Sequence, residues 1–369
     1  PEIGESDNVE VASLELEPTA EVKVFGVLKV ANRITNNGQI TFKSTATKTG
    51  QFDEFTGTYS GTGTVEVERF IPAQDNIVGF NLGRAFRLLT STVTTTTSIK
   101  DNWQEGVNNI DFTNNQNPNP GYGIHITGST TGANGFDATS TGNPSMFTFN
   151  NASTGTGAQD WIEMPGTDGS NTLKAGRAYL TFVRGDRGVD VTDNDTPPTN
   201  TTLRATGDLR VSTVDYAMDI DNLATDPNHY SLVANPYQAV VDYSKVTKTG
   251  LTGYIYVWDA SINTRGGYVS VDVANNSNMI SGSDASKYLA PGHAFFVQNN
   301  ATGNASLTFN EADKAVSENQ VTVFSTNTDF TIQSSLYKTS NLQNGYGVSD
   351  GLVLKFSDNY TTLADYEDA

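Results

Sequence analysis

GRAFRLLTSTVTTTTSIKDNWQEG, residues 83–106, is the stretch from which the fold is read. It joins an aromatic strand, a polar Thr-rich link and a Trp-bearing turn. Its opening returns twice: Gly83-Arg84-Ala85-Phe86, Gly176-Arg177-Ala178-Tyr179 and Gly292-His293-Ala294-Phe295. In each copy a Gly able to take a turn conformation precedes a small residue, an aromatic and an apolar run, so the chain restarts a strand the same way three times. That pattern predicts sheets built from related pieces. No catalytic constellation lies in or between the copies.

Working outward, the composition agrees. The chain has 369 residues, 36% hydrophobic and 10% aromatic, with 34 Gly. Strands that bury one face need no more apolar content than this. β-Branched and aromatic residues suit a pleated surface, whereas long amphipathic helical patterns are absent. A net charge of −19 opposes binding to nucleic acid and to anionic membrane surfaces. No run of about 18 apolar residues suggests a membrane span, and no charged-then-apolar leader opens the sequence. Pro1-Glu2-Ile3 reads as the start of a mature chain or of a fragment. The absence of Cys excludes disulfides, thiolate metal sites and a Cys nucleophile.

Three segments are expected. Residues 1–60 carry short period-two strands at even spacing, Val11 to Leu16, Val22 to Phe25, Val27 to Val30 and Gln39 to Lys43, with Asn36-Asn37-Gly38 between the last two. This suits a β-solenoid or a meander, and Gly and Asn recurring at the corners favour the solenoid. Residues 61–311 hold longer strands, enough for a jelly-roll-like β-sandwich with an aromatic core. Residues 312–369 read as an incomplete module of three strands, around residues 320–324, 330–333 and 352–356, the start of a second β-sandwich. The fold class is therefore all-β. A free strand edge in that last module would invite strand addition from a neighbouring copy.

The order of Val65-Glu-Val-Glu-Arg-Phe-Ile-Pro, Gly83-Arg-Ala-Phe-Arg-Leu-Leu-Thr-Ser, Trp103-Gln-Glu-Gly, Gly121-Tyr-Gly-Ile-His-Ile-Thr-Gly, Ala178-Tyr-Leu-Thr-Phe-Val-Arg-Gly-Asp, Leu232-Val-Ala-Asn-Pro-Tyr and Tyr256-Val-Trp-Asp resembles large multidomain extracellular proteins of Bacteroidetes, of the flavobacterial type. The resemblance covers roughly residues 25–369. It implies a substrate of the type IX secretion system, located outside the cell or on its outer surface, among other modules of one long chain. It carries no catalytic residue.

Candidate sites are few. Asp190, Asp193 and Asp195 cluster beside a strand end, and a hard cation such as a structural Ca²⁺ prefers grouped oxygens, although a solvated acidic loop explains them too. Asp219 and Asp221 form a weaker acidic loop. Trp103, Trp258 and Tyr256, with Trp161, Tyr254 and Tyr268, are candidates for a sugar-stacking platform or for rim packing in an aromatic-rich sandwich. His125, His229 and His293 lie far apart, with no second metal ligand at a regular spacing, and read as structural. The leading expectation is a structural or adhesive module of a secreted or cell-surface protein, with no catalysis. A carbohydrate-binding module and a subunit joined by strand addition are the alternatives.

Overall fold

At the amino end, small apolar residues at alternate positions stack rung upon rung. The computed structural model describes residues 1–73, 84–153, 160–194, 196–262, 266–280, 282–300, 303–318, 330–336, 339 and 350–356. Its first strands are β1 (Glu2–Ile3), β2 (Asn8–Leu16), β3 (Glu21–Val24), β4 (Val27–Asn36), β5 (Gln39–Phe42), β6 (Gln51–Phe52), β7 (Thr58–Ser60) and β8 (Thr64–Ile71). β1, β3, β5 and β8 pair in parallel as one wall. β2 and β4, with β6 and β7, form a second parallel wall. A meander would pair successive strands antiparallel, so the parallel ladders make this segment a solenoid.

Ile3, Val24, Phe42 and Val67 stand opposite one another across four rungs, and all four are buried. Each such side chain contributes roughly 1.5–3 kcal/mol by leaving water. At the corner, Asn36 donates to Thr64 O at 3.1 Å and accepts from Gly38 N at 3.1 Å. A Cβ at Gly38 would lie 2.2 Å from Ala20 O, which is why the corner takes glycine.

Next come β9 (Ala85–Leu89), β10 (Val93–Thr95), the helical turn α1 (Ile99–Trp103), β11 (Thr127–Ser129), β12 (Asp137–Ala138), β13 (Met146–Phe149), β14 (Trp161–Glu163), β15 (Tyr179–Val183) and β16 (Thr201–Leu209). β16 pairs antiparallel with β8 on one side and β10 on the other, so the solenoid wall continues into the next segment without a break. The expected boundary at residues 60 and 61 falls just before the last rung. A four-stranded antiparallel sheet has the order β14-β13-β15-β9.

The chain then forms β17 (Val214–Asp215), α2 (Tyr216–Asp219), β18 (Tyr230–Ala234), β19 (Val241–Asp242), β20 (Thr247–Thr249), β21 (Leu251–Asp259), β22 (Gly267–Asp272), β23 (Ser277–Asn278), β24 (Tyr288–Leu289), β25 (Ala294–Asn299) and β26 (Ser306–Phe309). A five-stranded sheet has the order β18-β25-β21-β22-β23 and a three-stranded one β17-β26-β20. The whole is all-β and sandwich-like. Its main core runs from the solenoid ladders to Tyr179, Tyr237, Tyr243, Phe295 and Phe309.

The three related openings do not present the same face. Gly176 and Gly292 take the expected left-handed conformation, φ 79° and 78°, while Gly83 lies outside the described residues. Tyr179 and Phe295 face the core and Ala178 and Ala294 face outward, but in the first copy Ala85 is buried and Phe86 half-buried on the outer face. Side chains alternate with period two, so a shift of one residue exchanges the faces.

The chain divides into two compact units, Pro1–Ser325 and Thr326–Ala369. Residues just past 311 belong to the first unit because they fasten it. Glu311 Oε2 accepts from Phe55 N at 2.8 Å, and its Oε1 accepts from Ser212 N at 3.0 Å. Lys314 Nζ lies 2.7 Å from Glu311 Oε2 and 5.0 Å from the rings of Phe52 and Tyr237. In the second unit the described strands are β27 (Phe330–Leu336) and β28 (Asp350–Phe356), an antiparallel pair. The third strand expected there, residues 320–324, lies outside the described residues.

Candidate binding face

The outer faces of the two larger antiparallel sheets carry the concentration of aromatic side chains. In β21 the order Tyr254-Ile255-Tyr256-Val257-Trp258 puts Ile255 and Val257 into the core, at 0% exposure, and the three aromatics on the opposite face. Register brings neighbours to the same side: Phe296 opposite Tyr256, Tyr268 opposite Trp258 and Leu232 opposite Phe296. On the four-stranded sheet, Phe86 stands opposite Phe182 and Phe149 opposite Trp161.

The two faces join into one. Trp258 Nε1 donates to Phe86 O at 2.8 Å, and Phe149 meets Phe296 edge-on at 5.0 Å. Leu88, Ala178, Leu232, Ala234, Ala294 and Phe296 form a buried floor, separate from the main core, beneath half-buried Phe149, Trp161, Tyr256 and Trp258. Tyr230, Tyr254 and Tyr268 remain 40%, 47% and 47% exposed.

The rings interlock rather than lie flat. Trp258 and Tyr268 cross at 76° and Tyr230 and Tyr256 at 78°, the edge-to-face arrangement that ring quadrupoles favour. Polar groups rim them: Tyr256 Oη donates to Gln298 Oε1 at 3.1 Å, and Ser270 and Asp272 stand opposite Tyr256 and Tyr254. Burial, with Tyr230 next, pushes the Tyr256 phenol up to about 12, and burial pushes Tyr268 up to about 12. Both phenols thus stay neutral donors.

Of the sequence candidates, Trp258 and Tyr256 belong to this face with Trp161, Tyr254 and Tyr268. Trp103 does not. It is 3% exposed and packs edge-on against Tyr179 at 5.8 Å inside the core, because α1 is capped by Ser98 and Asp101 and turns its apolar side inward. Sequence reasoning overlooked Phe86, Phe149, Phe182, Tyr230 and Phe296. For Phe149 and Phe182 the signal was the phase of the strand, since buried Thr148 and buried Thr181 and Val183 flank them.

In the acidic loop the described carboxylates serve local turns. Asp190 Oδ1 accepts from Thr192 N at 2.8 Å and Thr192 Oγ1 at 2.7 Å, which closes a local turn. Those bonds, with the Arg84 charge adding, hold its carboxyl below the usual range. Asp193 is exposed, and Asp195 lies outside the described residues. Among the described residues no three His, Asp or Glu gather as a metal group. Asp219 and Asp221 likewise accept from Asp215 N and Asn222 N.

The histidines are tied into the structure. His125 is 1% exposed, its Nε2 lying 2.9 Å from Arg187 O and its Nδ1 3.4 Å from Asp137 Oδ1. Asp137 also receives Arg187 through two bonds of 2.8 and 3.0 Å. Burial alone would raise the Asp137 pKa, but the bonds from His125 and Arg187 bring it down to about 2. Burial, then Arg69, lowers His293 to about 3. His229 Nδ1 lies 3.2 Å from Ser153 O. A cavity of about 20 Å³ lined by Glu68, Arg69, Thr90, Trp103, Gln238 and Gly292 has room for about one water.

Comparison with protein-family models, with curated proteins and with solved structures finds no match to this chain.

Proposed function

We propose that this chain is a non-catalytic adhesive module of a secreted or cell-surface bacterial protein, and that it holds polysaccharide on its aromatic face. The observation that carries the reading is the continuous outer surface of Phe86, Phe149, Trp161, Tyr230, Tyr254, Tyr256, Trp258 and Tyr268, built on two rigid sheets and rimmed by hydrogen-bonding groups. Soluble proteins seldom expose so many apolar rings together without a use for them. A pyranose presents an apolar face to a ring and hydroxyls to the rim, so both parts of this surface would be engaged. The buried ionisable pair Asp137 and Arg187, at 0% side-chain exposure, holds loops together. The extracellular location, the type IX export route and the neighbouring modules are proposed with it, on the sequence resemblance.

The test compares retardation of the protein in gels containing neutral polysaccharides with that of the Tyr254→Ala, Tyr268→Ala double variant. These exposed rings together contribute on the order of 1.4 kcal/mol, about tenfold in affinity. Equal retardation of the variant, with an unchanged melting temperature, would remove the aromatic face from the function.

A further inference from the structure

One end of the outer face carries charge that the aromatics do not account for. β9 and β15 are antiparallel, with Phe182 opposite Phe86 and Val183 opposite Ala85. The next position in that register sets Arg184 across from Arg84, on the same side as the two phenylalanines. Like charges directly across a ladder repel, and here they occur in a chain with 41 acidic residues against 22 basic ones.

The Arg184 guanidinium lies 4.7 Å from the centre of the Phe182 ring. The residue is half-buried. Its Nη1 is shielded from water and has no hydrogen-bond partner, and among the described residues it forms no ion pair. Burial, and then the charge of Arg84, pulls its pKa down to about 10, so the guanidinium stays cationic at neutral pH. Arg84 Nη2 is 3.4 Å from Asp190 O, which holds the second arginine to the loop beside it.

We propose that Arg84 and Arg184 form an anion-binding site at the end of the aromatic face, and that its ligand is an acidic polysaccharide. A uronate carboxylate or a sulfate ester is taken by the guanidiniums while the sugar rings lie along Phe86 and Phe182. Guanidinium groups match the planar or forked oxygens of such anions by paired hydrogen bonds. An anion beside the two arginines would give the Arg184 guanidinium the counter-charge that it does not have among the described residues. The net charge of −19 does not forbid this, because at physiological salt the repulsion from distant carboxylates is screened beyond about 8 Å. The nearby Asp190 carboxylate is within reach of the Arg84 charge and competes with the ligand for it. The inference rests on the adhesive reading, since the same face supplies the stacking.

The experiment measures retardation of the purified chain in gels containing dextran, dextran sulfate, polygalacturonate, its methyl ester or poly-glutamate, at about 0.15 M salt. The expected result is at least tenfold tighter binding to dextran sulfate than to dextran, or to polygalacturonate than to its ester. The pair that responds identifies sulfate or uronate as the anion. Arg184→Gln and, separately, Arg84→Gln should each abolish most of that preference while leaving the melting temperature and the weaker neutral binding in place. Equal binding to acidic and neutral polymers, or variants that keep the preference, would overturn the anion site and leave the adhesive reading standing. Retardation by poly-glutamate alone would overturn the polysaccharide assignment. Retardation by none of the polymers would overturn both readings.

Discussion

Replacing Asp137 by Asn should destabilise the first unit by about 3–5 kcal/mol, the range for removing one partner of a buried ion pair. The Asp137 side chain is 0% exposed, as is that of Arg187. Its Oδ1 accepts from Arg187 at 2.8 Å and from Asn109 N at 2.7 Å. Its Oδ2 accepts from Arg187 at 3.0 Å, Gln104 Nε2 at 3.0 Å and Ile126 N at 2.9 Å. An amide in place of the carboxylate turns one acceptor into a donor facing donors and leaves the guanidinium buried without its counter-charge. The ionisation part can be measured in the unaltered protein. Asp137 has a folded pKa of about 2 against an ordinary 3.8, which corresponds to roughly 2 kcal/mol at ~1.36 kcal/mol per pH unit. Because the folded value is the lower one, this contribution is complete above about pH 4 and is lost as the pH falls toward 2. Urea unfolding followed by tryptophan fluorescence is the assay, since Trp103, Trp161 and Trp258 all lie in the first unit. A loss below about 1 kcal/mol at pH 7 with an unchanged m-value, or an acid slope in Asp137→Asn as steep as in the parent, would refute this account.

His293 gives a second pH signature at a higher range. Its folded pKa of about 3 lies below the ordinary 6.5, so its contribution is complete above 6.5 and falls with pH, by about 3 kcal/mol between pH 6.5 and 4. His293→Gln should flatten that interval in the same urea assay. Removing divalent ions with EDTA is expected to leave the melting temperature unchanged, because the Asp190 carboxylate closes its own turn beside Arg84. A calcium-dependent rise of more than about 2 °C would instead favour an ion at Asp190, Asp193 and Asp195.

The all-β class was legible because period-two patterns and turn residues are local. The choice between solenoid and meander was not, since both use the same strands. The choice depends on whether Val24 meets Phe42 in a parallel or an antiparallel ladder, and the corner residues Asn36 and Gly38 were a local hint. The segment boundaries were also hidden. Gln51 shows why: its side chain bonds Val240 N at 2.7 Å and Val316 O at 3.3 Å. Contacts across that much sequence have no local signature.

The candidate face divides in the same way. Tyr256 and Trp258 could be found from residue type, but type alone also selected Trp103, whose helical turn faces the core. The distinguishing information is phase. Tyr254, Tyr256 and Trp258 alternate with buried Ile255 and Val257, so their shared outward direction can be read from one strand. Phe86 defeats that reading, because its Gly-Arg-Ala-Phe opening matches copies in which the aromatic turns inward. What reverses it is the pairing of Ala85 with Val183, which commits Ala85 to the core and Phe86 and Arg84 to the outer face. The same one-residue offset therefore accounts for both the aromatic surface and the opposed arginines at its end. Moving β9 by one residue would bury a charge and expose Ala85, so the register that stabilises the core is also what presents Arg84 beside Arg184.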